Sequence, residues 1–243
     1  MFRAYALFGV ELSDKRAVMN PASDSESLLE GVTLTRSGDV LRVSSSTPLR
    51  VLGCANVGDD LALTRNIVAM SVETEQQSVD PEQQLHDWAM QAGIHEPFVG
   101  LLTTAAAESY IQATEATAKW KLTALLIADL TTRCSAGKTK PGEGNTGGSI
   151  DIIILTDASL SMGAMVSAMI TATEAKVRAL VENRVTTSEG YVATGAPADS
   201  VIIGCLSKGE RIRQAGPTTQ LGYLVGKVVH EGLTRALQAQ HVD

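Results

Sequence analysis

The residues with chemistry to offer sit in the second half of the chain. Ile150-Asp151-Ile152-Ile153-Ile154-Leu155-Thr156-Asp157 is an apolar, β-branched run that ends on a carboxylate. In open α/β sheets, ligands gather outside the carboxyl ends of the strands, so Asp157, with Thr156 beside it, stands where an acid or base is useful. The competing role for Asp157 is to cap the helix that follows. Further on comes Thr171-Ala172-Thr173-Glu174-Ala175-Lys176. Glu174 flanks the apolar stripe of its helix, and a carboxylate at the edge of a buried face can have a raised pKa suited to proton transfer. The alternative for Glu174 is an ion pair along the helix with Arg178.

Two turns could add polar donors. Ala193-Thr194-Gly195-Ala196-Pro197-Ala198-Asp199-Ser200 leads into an apolar strand and can present N–H groups and hydroxyls to an oxyanion, although such turns are commonly plain connectors. Gly216-Pro217-Thr218-Thr219-Gln220 opens the last helix, whose first N–H groups lack helical partners. His230 and Glu231 lie deeper in that helix, and a surface or core-edge histidine is the plainer reading of His230.

Other chemistries are disfavoured. Gly137-Lys138-Thr139 resembles part of a phosphate loop, but Thr132 stands where the motif needs glycine, and Pro141 breaks the helix that should follow. The net charge is −7 with no run of Lys or Arg, which argues against a nucleic-acid partner. Cys54, Cys134 and Cys205 and the four histidines are scattered, without the clustering of a metal site. Unpaired thiols suit a reducing compartment, so the cytoplasm is the expected location. The apolar stretch at the N-terminus is too short to span a bilayer and poor as a signal peptide, so no membrane association is expected. Cys54 reads as an inert core residue rather than a nucleophile.

These residues need a scaffold. With 44% hydrophobic and only 4% aromatic residues, the core must be aliphatic, which favours layered α/β packing. The expected fold is one α/β domain over 1–243: a mixed sheet with flanking helices, a β-rich N-terminal third, and a βαβα unit at the C-terminus. Strands are expected at 32–35, 40–43 and 49–52, then a helix at 61–70. A second helix begins at Asp80-Pro81 and stops at Gly93, with strands at 99–104 and 121–131. The stretch 134–149 holds five glycines and a proline and reads as a long loop. A strand at 150–157, a helix at 162–181, a strand at 200–206 and a helix at 218–238 complete the series. In the 162–181 helix, Met162, Met165, Val166, Met169, Ile170, Val177, Leu180 and Val181 form the expected inward stripe.

Taken together, Ser149 to Ala158, Gly163-Ala164-Met165-Val166 and Thr171 to Lys176 resemble the adenosylcobinamide amidohydrolases. Ala193-Thr194-Gly195, Asp199-Ser200 and Leu221-Gly222 through Glu231 continue the likeness in order. The resemblance implies a hydrolase of corrinoid salvage that cleaves the amide joining aminopropanol to the corrin ring, giving adenosylcobyric acid. It implies a corrinoid as partner and no cofactor, cobalt entering only with the substrate. Asp157 or Glu174 would then be the catalytic base. Thr156, Thr171, Thr173, Thr194, Asp199, Ser200, His230 and Glu231 would bind substrate, and Lys176 would offset charge. The alternative is a corrinoid- or other small-molecule-binding protein without catalysis. The assembly state is open, with a homo-oligomer among the options.

Overall fold

The computed structural model describes residues 25–72, 80–141 and 147–240. The N-terminal apolar stretch and residues 142–146 of the glycine-rich loop lie outside them.

Among the described residues, nine strands form one mixed sheet: β1 (Ser25–Leu29), β2 (Val32–Ser37), β3 (Val40–Gly53), β4 (Ala62–Ser71), β5 (Val99–Thr103), β6 (Ile111–Ala116), β7 (Lys121–Asp129), β8 (Ser149–Leu160) and β9 (Ser200–Ile212). Three helices flank it: α1 (Pro81–Gln91), α2 (Met162–Glu182) and α3 (Gln220–Ala239). The main path runs β1-β2-β3-β9-β8-β7-β6, and β4 joins β3 to β5. All neighbours are antiparallel except β4–β5 and β8–β9.

β3 makes this sheet curl. Its first half pairs with β2 and its second half with β9, while β4 runs along the whole of the other edge. The register slips between Ser44 and Leu49, where Ser46, Thr47 and Pro48 are exposed. Proline has no N–H to give a ladder, so the irregular stretch is where a strand tolerates it. The bend carries β1 back over the face of β7, and the Thr123 hydroxyl donates to the Leu28 carbonyl at 3.4 Å.

Curling creates an inside and an outside. The inner core holds Leu28, Leu34, Val43, Ile67, Leu101, Leu125, Ile153, Leu155 and Ile202. Outside β6–β9, α2 and α3 cover Leu126, Ile152, Ile154 and Ile203. Outside β3–β5, α1 covers Val40, Val68 and Met70 with Leu85 and Ala89. Strands buried on both faces need no polar alternation, which is why Ala124 to Ala128 of β7 and Ile152 to Leu155 of β8 are continuous apolar runs.

Local chemistry sets the helix ends. Asp80 accepts from the Gln83 N–H at 3.0 Å ahead of Pro81, and the chain leaves α1 through Gly93 at φ 70°. Ser161, not Asp157, caps α2, accepting from the Ala164 N–H at 3.1 Å. Thr219 caps α3 through the Gly222 N–H at 3.0 Å.

The mixed α/β class and the strand–helix–strand–helix order of the C-terminal part agree with the sequence reading. Three expectations do not hold. The stretch 61–70 is β4, not a helix: it is a central strand flanked by β3 and β5, so its apolar run comes from burial on both faces rather than helical periodicity. Strands 40–43 and 49–52 are two halves of one bent strand. In α2 the inward stripe is made of small residues, Ala164, Ala168, Ala172, Ala175 and Ala179, together with Met165 and Leu180. Met162, Val166, Ile170 and Val181 of the expected stripe are instead about half exposed, at 54%, 45%, 55% and 48%.

Candidate active site

The helix pair sets the first part of the site. α2 and α3 pack together over β6–β9, and a groove of about 450 Å³ opens between them on the outer side. Thr171 and Ala175 line it from α2, and Gly222 and Gly226 from α3. Glycine is required at 222, because a Cβ there would collide with the Gly216 carbonyl where α3 rests on the preceding turn. Gly226 is different: a Cβ would meet only the Thr171 methyl at 3.8 Å, so its hydrogen leaves room in the groove rather than relief in the packing.

Titratable side chains ring this groove. Glu174 and Arg178 stand on the α2 wall, and Tyr223, Lys227, His230 and Glu231 on the α3 wall. The His230 Nε2 lies 2.6 Å from Glu182 Oε2, and Arg178 Nε donates to Glu182 Oε1 at 2.7 Å. The guanidinium and the imidazole together hold the Glu182 carboxyl below the usual range. Lys227 donates across to Glu115 of β6 at 2.6 Å, and that hydrogen bond raises its pKa. The groove thus offers carboxylates, cations, and a histidine whose ring is fixed by an acid. A proton-carrying group steadied by a second acid is the arrangement proton transfer calls for.

A second polar cluster is buried where β8 and β9 begin. Lys176, only 6% exposed, points away from the groove and forms an ion pair with Asp199. Asp199 also accepts from the Ile150 N–H at 2.9 Å and the Ala196 N–H at 3.0 Å. Gly195 makes this possible, since a Cβ there would strike the Asp199 carboxylate. The Thr194 hydroxyl accepts from the Ala136 N–H at 2.8 Å and so ties the glycine-rich loop to the turn. Next to this pair lies Asp151, fully buried on the inner face of β8. Its Oδ2 accepts from the Ser149 hydroxyl at 2.8 Å, and Ser149 Oγ lies 3.0 Å from Thr103 Oγ1. Its Oδ1 has no hydrogen-bond partner among the described residues. Burial pushes the Asp151 carboxyl up to about 7; the Thr103, Ser149 and Ser200 hydroxyls oppose the rise and nearby Asp199 adds to it.

The residues expected from sequence therefore fall into separate places. Thr171, Glu174, His230 and Glu231 come together in the groove. Lys176, Thr194, Asp199 and Ser200 belong to the buried cluster, and Thr173 sits on the exposed outer face of α2 beside Glu174. Asp157 does not join Glu174. Even-numbered residues of β8 face the helices and odd-numbered ones the inner core, so Asp157 points to the far side of the sheet from α2. There its carboxylate accepts from the Lys121 N–H at 2.9 Å. Thr156 is buried, with its hydroxyl donated to the Lys121 carbonyl at 3.0 Å. Cys54, expected to be buried, is exposed, because β3 ends at Gly53 and the chain leaves the sheet there.

Sequence reasoning missed Glu182 and Asp151. The first is signalled by the four-residue spacing of Glu174, Arg178 and Glu182, which places all three on one helix face. The second is signalled by an acid inside a strand read as buried on both faces.

Among the described residues, no group of three or more His, Cys, Asp or Glu side chains is placed to hold a metal ion, and no helix is long and apolar enough to cross a membrane. The chain has the fold of a mixed α/β protein whose ringed groove lies on a helix pair outside the sheet. Residues 25–242 match the family model described as adenosylcobinamide amidohydrolase. An adenosylcobinamide amidohydrolase of Methanosarcina mazei is 32% identical over 167 residues, which is 65% of this chain and 75% of that protein. An uncharacterised protein of Methanocaldococcus jannaschii is 33% identical over 95 residues, covering 38% of this chain and 37% of its own. Among solved structures, a Pyrococcus horikoshii protein superposes with a TM-score of 0.47 at 12% identity, over 84% of this chain and 78% of that one. The chain belongs to the adenosylcobinamide amidohydrolase family, whose members hydrolyse adenosylcobinamide to adenosylcobyric acid in cobamide salvage.

Proposed function

We propose that this chain cleaves the aminopropanol amide of adenosylcobinamide in the groove between α2 and α3. The observation that carries the reading is the convergence on one groove of Glu174 from α2 and of His230 and Glu231 from α3, more than 50 residues further along the chain. An amide is inert at neutral pH, so its hydrolysis needs three things: a base to activate water, positive charge for the oxyanion, and an acid for the departing amine.

The groove supplies each. Glu174, on the wall opposite His230, takes the proton of the attacking water. Arg178 and Lys227 stabilise the negative charge that develops on the carbonyl oxygen. His230, steadied by Glu182, passes a proton to the amine of aminopropanol as the C–N bond breaks. The Thr171 hydroxyl is engaged with the Ser167 and Ala215 carbonyls at 3.0 and 3.1 Å, so it shapes the floor rather than reacting. The buried Lys176–Asp199 pair and Asp151 hold the starts of β8 and β9 together behind the helices.

Incubation of the pure protein with adenosylcobinamide tests the reading. Stoichiometric release of aminopropanol with formation of adenosylcobyric acid supports it. A spectral shift on binding with no release of aminopropanol refutes the hydrolytic role.

A further inference from the structure

We infer that the corrin framework of the substrate lies on an apolar trough beside the groove, formed by α2 and the end of β3. This inference rests on the groove being the reacting site. A groove of about 450 Å³ holds the amide and its aminopropanol arm, not a macrocycle with its axial nucleoside, so most of the substrate must lie outside it.

The two surfaces that border the groove differ in chemistry. On one side, His230 and Glu231 continue into a polar depression with Gln112, Thr234 and Arg235. On the other, Glu174 is shared with a trough of about 540 Å³ whose lining is almost wholly apolar: Leu52, Cys54, Val166, Met169, Ile170 and Thr173. The methyl-bearing corrin framework is stabilised more by leaving water on the second surface than on the first.

The trough is also the place where α2 departs from ordinary amphipathicity. Val166 and Ile170 in the trough, and Met162 one turn before it, recur every four residues, each about half exposed, while the helix spends small alanines on its inward face. Large apolar side chains exposed in a contiguous row mark a contact surface. Along α2 the lining runs from Val166 to Glu174, about 12 Å at 1.5 Å per residue, a length that suits a macrocycle rather than a small ligand. Because Glu174 stands at the junction, a corrin seated here carries its amide arm over the edge of α2 into the groove.

The test uses Cys54, which lines the trough and is exposed, whereas Cys205 is buried. The rate of alkylation of Cys54 is read by peptide mass spectrometry on the wild-type protein, without and with adenosylcobyric acid. That probe carries the corrin but not the aminopropanol arm, so it reports on the trough whether or not hydrolysis occurs. Aminopropanol release by the same preparation reports separately on the reacting groove. The expected result is slowing of Cys54 alkylation by about tenfold or more at saturating corrinoid. In parallel, Ile170→Glu and Val166→Asp raise KM for adenosylcobinamide at least about tenfold, with kcat within a factor of about three. Unchanged alkylation with corrinoid, or a loss confined to kcat, overturns the assignment. So does protection of Cys54 without corrinoid that is relieved when Ile170→Glu lowers the mass in sedimentation, which would make the trough a contact between copies.

Discussion

Gly226 offers the sharpest test of the reacting groove, because filling it changes activity and stability in opposite directions. It lies inside α3, where glycine is disfavoured by about 0.8–1 kcal/mol relative to alanine, and leucine is close to alanine. A Cβ at this position has only the Thr171 methyl within 4 Å, at 3.8 Å, and the rest of a leucine side chain has the open groove to enter, so the gain in helix propensity is kept. Gly226→Leu is therefore expected to stabilise the protein by about 0.5–1 kcal/mol. For a chain of this length that is a rise in melting temperature of roughly 2–4 °C per kcal/mol. The same side chain projects into the groove between Glu174 and His230 and displaces the bound amide. A displacement of about 1 Å at a reacting centre can cost about 100-fold, so kcat/KM is expected to fall by that much or more. Gly226→Ala should give the same stabilisation with a smaller loss. The measurements are a thermal melt and steady-state release of aminopropanol on the same preparations. A leucine variant that melts higher and turns over at the wild-type rate would show that the substrate does not occupy this groove.

Other expectations follow from the same geometry. Glu174→Gln and His230→Ala are each expected to lower kcat by about 100-fold or more, while Asp157→Asn, on the far side of the sheet, leaves turnover near wild type; steady-state assays of the three variants check the choice of acid. Asp151 makes stability depend on pH in a definite direction. Its folded pKa lies near 7, above the unfolded value near 3.8, so between those values the native state binds the extra proton and stability falls as pH rises. The loss amounts to about 4 kcal/mol at most and is complete above pH 7, and Asp151→Asn should flatten that part of the denaturation profile between pH 4 and 8. At the buried ion pair, Asp199→Ala strands an ammonium and two N–H groups and is expected to cost about 3–5 kcal/mol. Lys176→Met leaves Asp199 its main-chain donors and should cost less, an asymmetry that urea denaturation of both variants would reveal.

The sequence alone was enough to place most elements and the family. Local signals are strong where the physics is local: Asp80 and Pro81 start a helix, Gly93 ends it, and the β-branched run at 150–155 can only be a buried strand. Thr171 to Lys176 likewise marks a helix carrying both an exposed acid and a lysine. Local pattern failed where burial has two sides. The apolar run of β4 looks the same whether it is a helix face or a strand covered on both faces, and only its pairing with β3 and β5 decides. The inward face of α2 departs from its apolar pattern for a related reason: a helix seated close against a sheet and a second helix needs small side chains there, so alanines are buried and the larger residues turn out. The pairing of acids was likewise a tertiary decision. One residue of parity along β8 sends Asp157 to the other side of the sheet, and the two-residue step from Glu174 to Lys176 separates a groove wall from a buried ion pair. Glu182 meets His230 only because α2 and α3 lie side by side, a proximity that no spacing along the chain contains.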